Sequence, residues 1–67
     1  MKEETIARVY ASICQYVDEH QTSPTFQEIA DRVGVSKTAV ADAIGFLEAR
    51  GKVIHQPGKV RTVTPLR

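Results

Sequence analysis

A chain of 67 residues, 42% hydrophobic and 25% charged, has the balance of one small globular domain with a modest core. No apolar run approaches the roughly 20 residues that cross a bilayer, and MKEETIARVY carries acids where a secretory signal would begin its apolar core. The formal net charge is only +1, yet all 8 acids lie at or before Glu48, and Arg50, Lys52, Lys59, Arg61 and Arg67 follow without an acid among them. Such a block either faces a polyanion or is a solvated basic hairpin, and charge alone leaves both open.

The first element runs from about Glu3 to Glu19, where Ile6, Val9, Tyr10, Ile13 and Val17 recur at helical spacing and acids occupy the first turn. Cys14 and Tyr16 border that stripe. A lone thiol at helical spacing, with no charged neighbour in sequence, reads as core and not as a nucleophile, and it excludes an internal disulfide.

Pro24 breaks the helix and pushes Ser23 toward extended backbone. Thr25 and Glu28 then form a capping box, so a second, short helix starts after Thr25, with Phe26, Ile29, Ala30 and Val33 on its inner face and Gly34 at its end. Ser36 caps a third helix, expected from about Lys37 to Arg50 and stopped by Gly51. Beyond it, KVIHQ and VRTVT favour strands on either side of Pro57-Gly58-Lys59, a type II turn pattern. Val53 or Ile54 should face inward, opposite Val63. The fold expected is mainly α with a small β-hairpin, a single winged unit over residues 1–67.

The spacing of Ala30, Gly34 and Val40 carries the functional reading. Two helices joined by about three residues cross steeply. The crossing needs a small residue (Ala30), a turn residue tolerant of positive φ (Gly34) and an aliphatic plug one turn into the second helix (Val40). That is the pattern of a DNA-binding helix-turn-helix. On the third helix Val40, Ala43, Ile44 and Leu47 share the inner side, while Thr38, Asp42, Gly45 and Ala49 lie opposite with Ala41 beside them. An idle solvent face would carry Lys, Glu and Arg. Gly45 costs about 1 kcal/mol relative to alanine in mid-helix, so close approach of a DNA strand is the expected return.

The stretch SPTFQEIADRVGVSKTAVADAIGFLEARGKVI resembles the winged helix-turn-helix of bacterial repressors, most closely the N-terminal DNA-binding domain of the LexA family. It is also similar to the GntR type through GVSKTAV and LEARGKV. The LexA-like resemblance implies base contacts from Ser36, Thr38, Ala39, Ala41 and Asp42. Two departures, a turn before Ser36 one residue shorter and Phe26 at a basic position of the family, imply a different operator. The 67 residues leave no room for the family's Ser-Lys self-cleavage domain, so either an excised domain or a small stand-alone regulator, bacterial or phage-borne, is expected.

Residue by residue, Lys37 and Thr38 are candidates for phosphate or a base edge, and Asp42 for a cytosine amino group. Lys59 and Arg61 are candidates for phosphate or the adjacent minor groove, with Thr25, Gln27 and Lys52 as further phosphate candidates. Phe46 is expected to pack on the first helix or the hairpin. His20 and His55 read as surface residues, not metal ligands. No catalytic triad, paired-cysteine motif or phosphate loop occurs, so neither an enzyme nor a cofactor is expected. The expected partner is double-stranded DNA, bound by a homodimer or by paired monomers, in the cytoplasm at the nucleoid; neither a membrane nor a small-molecule ligand is implied. The rival reading is a winged-helix module that binds protein, or a phage or plasmid accessory factor that does not read DNA.

Overall fold

The computed structural model describes residues 1–59 and 61–66. Three helices, α1 (Glu3–His20), α2 (Phe26–Val33) and α3 (Lys37–Ala49), precede an antiparallel pair, β1 (Val53–Ile54) and β2 (Thr64–Pro65). The arrangement is the expected mainly helical fold with a two-stranded wing.

Each helix ends where its sequence gives it a chemical reason. The α1 stripe stops at Gln21, whose backbone turns left-handed (φ 58°) so that its N–H reaches Val17 O. Its side-chain Nε2 donates to Asp18 O, and Pro24 follows. At α2 both halves of the capping box form: Thr25 Oγ1 accepts from Glu28 N, and Glu28 Oε1 accepts from Thr25 N at 2.8 Å. Gly34 closes α2 at φ 80° and donates to Ala30 O, which also accepts from Val35 N. Ser36 caps α3 by accepting from Ala39 N. The last helical residue is Ala49, one before the expected Arg50, with Gly51 left-handed after it.

The core lies where the three helices meet the wing. Ile6, Val9 and Ile13 of α1 pack with Ile29, Ala30 and Val33 of α2, Val40, Ala43, Ile44 and Leu47 of α3, and Val53 and Val63. Tyr10 and Val17 are only half-buried, whereas Tyr16 is buried. Phe46 is 45% exposed, against the expectation that it packs inward. With about 3.6 residues per turn, it stands roughly a quarter-turn off the stripe that Leu47 continues.

The wing differs from the expected hairpin. Val53 faces the core and Ile54 faces out, but the ladder pairs Val53 with Pro65 and Ile54 with Thr64, so Val63 is buried without lying opposite either. The second strand begins only at Thr64, the last residue of VRTVT, whose first residue, Val60, lies outside the described residues. The reason is local. Arg61 is left-handed (φ 56°), and the Thr62 hydroxyl accepts from Gln56 N and donates to Gln56 O, taking the place of ladder bonds. The Pro57-Gly58 turn forms as expected, with Gly58 at φ 81° and Lys59 N donating to Gln56 O.

Candidate nucleic-acid interface

Three residues, Gly34 to Ser36, separate α2 from α3. Ala30, at 3% exposure, lets the backbones approach where the helices cross, and Val40 is fully buried beneath the turn. The crossing holds the opposite side of α3 clear of the domain. Thr38, Ala41, Asp42, Gly45 and Ala49 are all exposed, and Ala39 is half-buried at their edge. Ala41, Asp42 and Gly45 share one shallow depression with Phe46, Ala49 and Met1.

Gly45 is instructive because nothing inside the domain requires it. A Cβ built there would meet no atom of the described residues within 4 Å, and its φ is not positive. Its helix-weakening cost therefore buys no internal packing.

A second concavity lies between the wing and the start of α2. Thr25, Gln27, Lys37 and Lys59 line it, with the rings of Phe26 and His55 on its wall. Those rings sit 5.2 Å apart, and His55 Nδ1 lies 4.0 Å from Glu48 Oε1. His55 is therefore half-buried, not a surface residue as its sequence position suggested, because Phe26 supplies an aromatic face that water would otherwise cover. Thr25 and Gln27 are partly occupied. The Thr25 side chain caps α2, and Gln27 Nε2 donates to Asp31 Oδ1 at 2.8 Å. Lys52 stands apart at the wing root, where its carbonyl accepts from Leu66 N and its N–H donates to Leu47 O.

The acid-free block is partly neutralised by folding. Arg50 pairs with Glu3, and Arg61 pairs with Glu28, both acids coming from the first half of the chain. Among the described residues Lys37, Lys52 and Lys59 have no ion-pair partner; Arg67 lies outside them. Arg61, a candidate for phosphate or the minor groove, also lines the second concavity and is engaged with the domain body. Its Nη1 donates to Tyr16 Oη (3.0 Å), Ser23 O (3.2 Å) and Glu28 Oε1 (3.0 Å), and its Nη2 to Glu28 Oε2 (3.2 Å). Tyr16 Oη donates in turn to Glu28 Oε2 at 3.0 Å. The Thr25 backbone N–H is the largest influence holding the Glu28 carboxyl down, at about 2, with the Arg61 and Tyr16 hydrogen bonds adding to it.

Sequence reasoning missed this cluster. Its one legible signal was Tyr16, since a buried phenol needs a hydrogen-bond partner. Nothing in the spacing of Glu28 and Arg61, 33 residues apart, announces that they meet.

The family model for the LexA DNA binding domain matches residues 4–62. Over 60 residues the chain is 37% identical to a LexA repressor of Koribacter versatilis (strain Ellin345), covering 88% of this chain and 29% of that protein. The chain thus spans less than a third of the length of the curated relative it matches.

Proposed function

The chain belongs to the LexA DNA-binding domain family, and from that premise we propose that it binds double-stranded DNA sequence-specifically, with α3 in the major groove. The observation that carries this reading is Gly45. Its cost finds no return within the domain, and it sits on an outward face of short side chains that lets a helix backbone approach base edges. Ser36, Thr38, Ala39, Ala41 and Asp42 are the base-reading set, with Asp42 accepting from a cytosine amino group. Lys37 and Lys59, which both line the concavity at the start of α2, are the cations for the phosphate path, with Thr25, Gln27 and Lys52 as lesser contacts.

The relative is named a repressor, and occupancy of an operator by this domain is the corresponding role here. One such domain buries limited surface, so paired copies on half-sites at helical spacing supply working affinity. The free domain is expected to be monomeric at low concentration.

Selection from a random duplex library tests the reading. Enrichment of a short motif, repeated at about one helical turn, is the expected result. Absence of enrichment, together with no binding of random duplex at micromolar protein in low salt, would overturn it in favour of a protein-binding module.

A further inference from the structure

We propose that Arg61 is a positioning residue that fixes the wing against α1 and α2, and not a ligand for phosphate. The proposal rests on the DNA-binding reading above and deepens it by dividing the wing's two cations between separate tasks.

The geometry is that of a clamp. One planar guanidinium spans three places on the domain body: the Tyr16 hydroxyl near the end of α1, the Ser23 carbonyl in the connection and both Glu28 oxygens in the first turn of α2. A forked, planar cation can meet a carboxylate with two parallel bonds and still reach a third acceptor, which a lysine ammonium cannot do in the same plane. The far side is equally built. The Glu28 carboxylate is held by the Thr25 N–H and the Tyr16 hydroxyl, so Arg61 docks on an acceptor already fixed in place.

The backbone agrees with this assignment. Arg61 is left-handed at φ 56° without being glycine, a conformation that persists where the surroundings hold it. The wing needs such a hold, since its ladder joins only two residues from each strand, and the segment between them relies on the Thr62 hydroxyl and the Pro57-Gly58 turn. A two-stranded ribbon of that length is marginal by itself. Lys59, beside the turn, has no ion-pair partner among the described residues and is left to meet phosphate.

The experiment uses the whole chain as Arg61→Ala, Arg61→Lys, Glu28→Gln and Lys59→Ala. Glu28→Gln keeps the capping box, because glutamine serves at that position, while it removes the charge that Arg61 meets. Backbone heteronuclear NOE values of the free proteins report wing order, and titration of a random-sequence duplex across a salt series reports phosphate contacts. The clamp predicts that Arg61→Ala, Arg61→Lys and Glu28→Gln all lower the NOE values of residues 55–59 while helix amides hold theirs. It also predicts that Arg61→Ala leaves the log–log salt slope unchanged, whereas Lys59→Ala lowers it by about 0.9. Wing NOE values unchanged in Arg61→Ala would overturn the proposal, as would a slope that falls by about 0.9 in Arg61→Ala but is kept in Arg61→Lys. Failure to bind any duplex would sink the DNA reading, and the NOE comparison would still decide the clamp.

Discussion

The guanidinium of Arg50 closes both of its terminal nitrogens on the carboxylate of Glu3, with Nη1 at 2.7 Å from Oε2, tying the C-cap of α3 to the first residue of α1. Arg50 also lies 6.0 Å from the Phe46 ring. The hydrogen bond from Arg50 is the main reason the Glu3 carboxyl sits below its ordinary range. A cation that heads the basic block in sequence is thus spoken for in space. Arg50→Ala should leave the salt dependence of DNA binding unchanged and lower the thermal midpoint only slightly, as expected for an exposed pair. Scanning fluorimetry and a salt-series titration check both.

Gly45→Ala separates stability from function. The free domain has space for the added methyl group, so unfolding in urea should show it more stable by about 0.5–1 kcal/mol. Binding to a selected duplex should weaken, because the methyl group would stand on the face proposed to approach a strand. An alanine variant that binds as well as the parent would remove the close-approach explanation.

Thr38→Ala and Asp42→Ala should each change which sequence is preferred, by roughly 1–3 kcal/mol at the contacted base pair. Both side chains are exposed on the outward side of α3. Thr38→Ala should keep the parental salt slope, since a neutral side chain releases no counterion. Identical selected motifs for both variants and the parent would mean that α3 does not read bases through these positions.

Acid should act through Glu28. Its carboxyl sits at about 2 in the folded chain against an ordinary 4.5, so folding favours the ionised form. That stabilisation is complete above pH about 4.5 and is lost as the pH falls through about 2, where the folded chain also takes up the proton. Glu28→Gln should flatten the stability profile between those limits. Equally steep profiles in the two proteins would assign acid sensitivity to other carboxylates.

Packing at the crossing is unforgiving. Ile44 is 1% exposed where α3 meets the core, and Ile44→Ala should cost about 2–5 kcal/mol. For so small a domain that is most of its stability, and circular dichroism should find it largely unfolded at 37 °C.

Local rules settled what is local. The capping box at Thr25 and Glu28, the Ser36 cap, the left-handed Gly34 and the inward set on α3 all follow from residues within a turn or two of one another, and the structure has each of them. The outward side of α3 was legible for the same reason, because helical periodicity fixes which side chains oppose the core. Contacts between distant segments were not legible. Arg61 looked like a free cation because no acid neighbours it in sequence, and Glu28 looked like a cap and nothing more; only the packing of the wing on α1 and α2 brings them within 3.0 Å. The same holds for His55 on Phe26 and Arg50 on Glu3. Val63 is buried outside the ladder because a side-chain hydroxyl and a left-handed arginine displaced the strand pairing that alternation alone would favour. Charge and strand register depend on what chain folding places opposite, and periodicity carries no information about that.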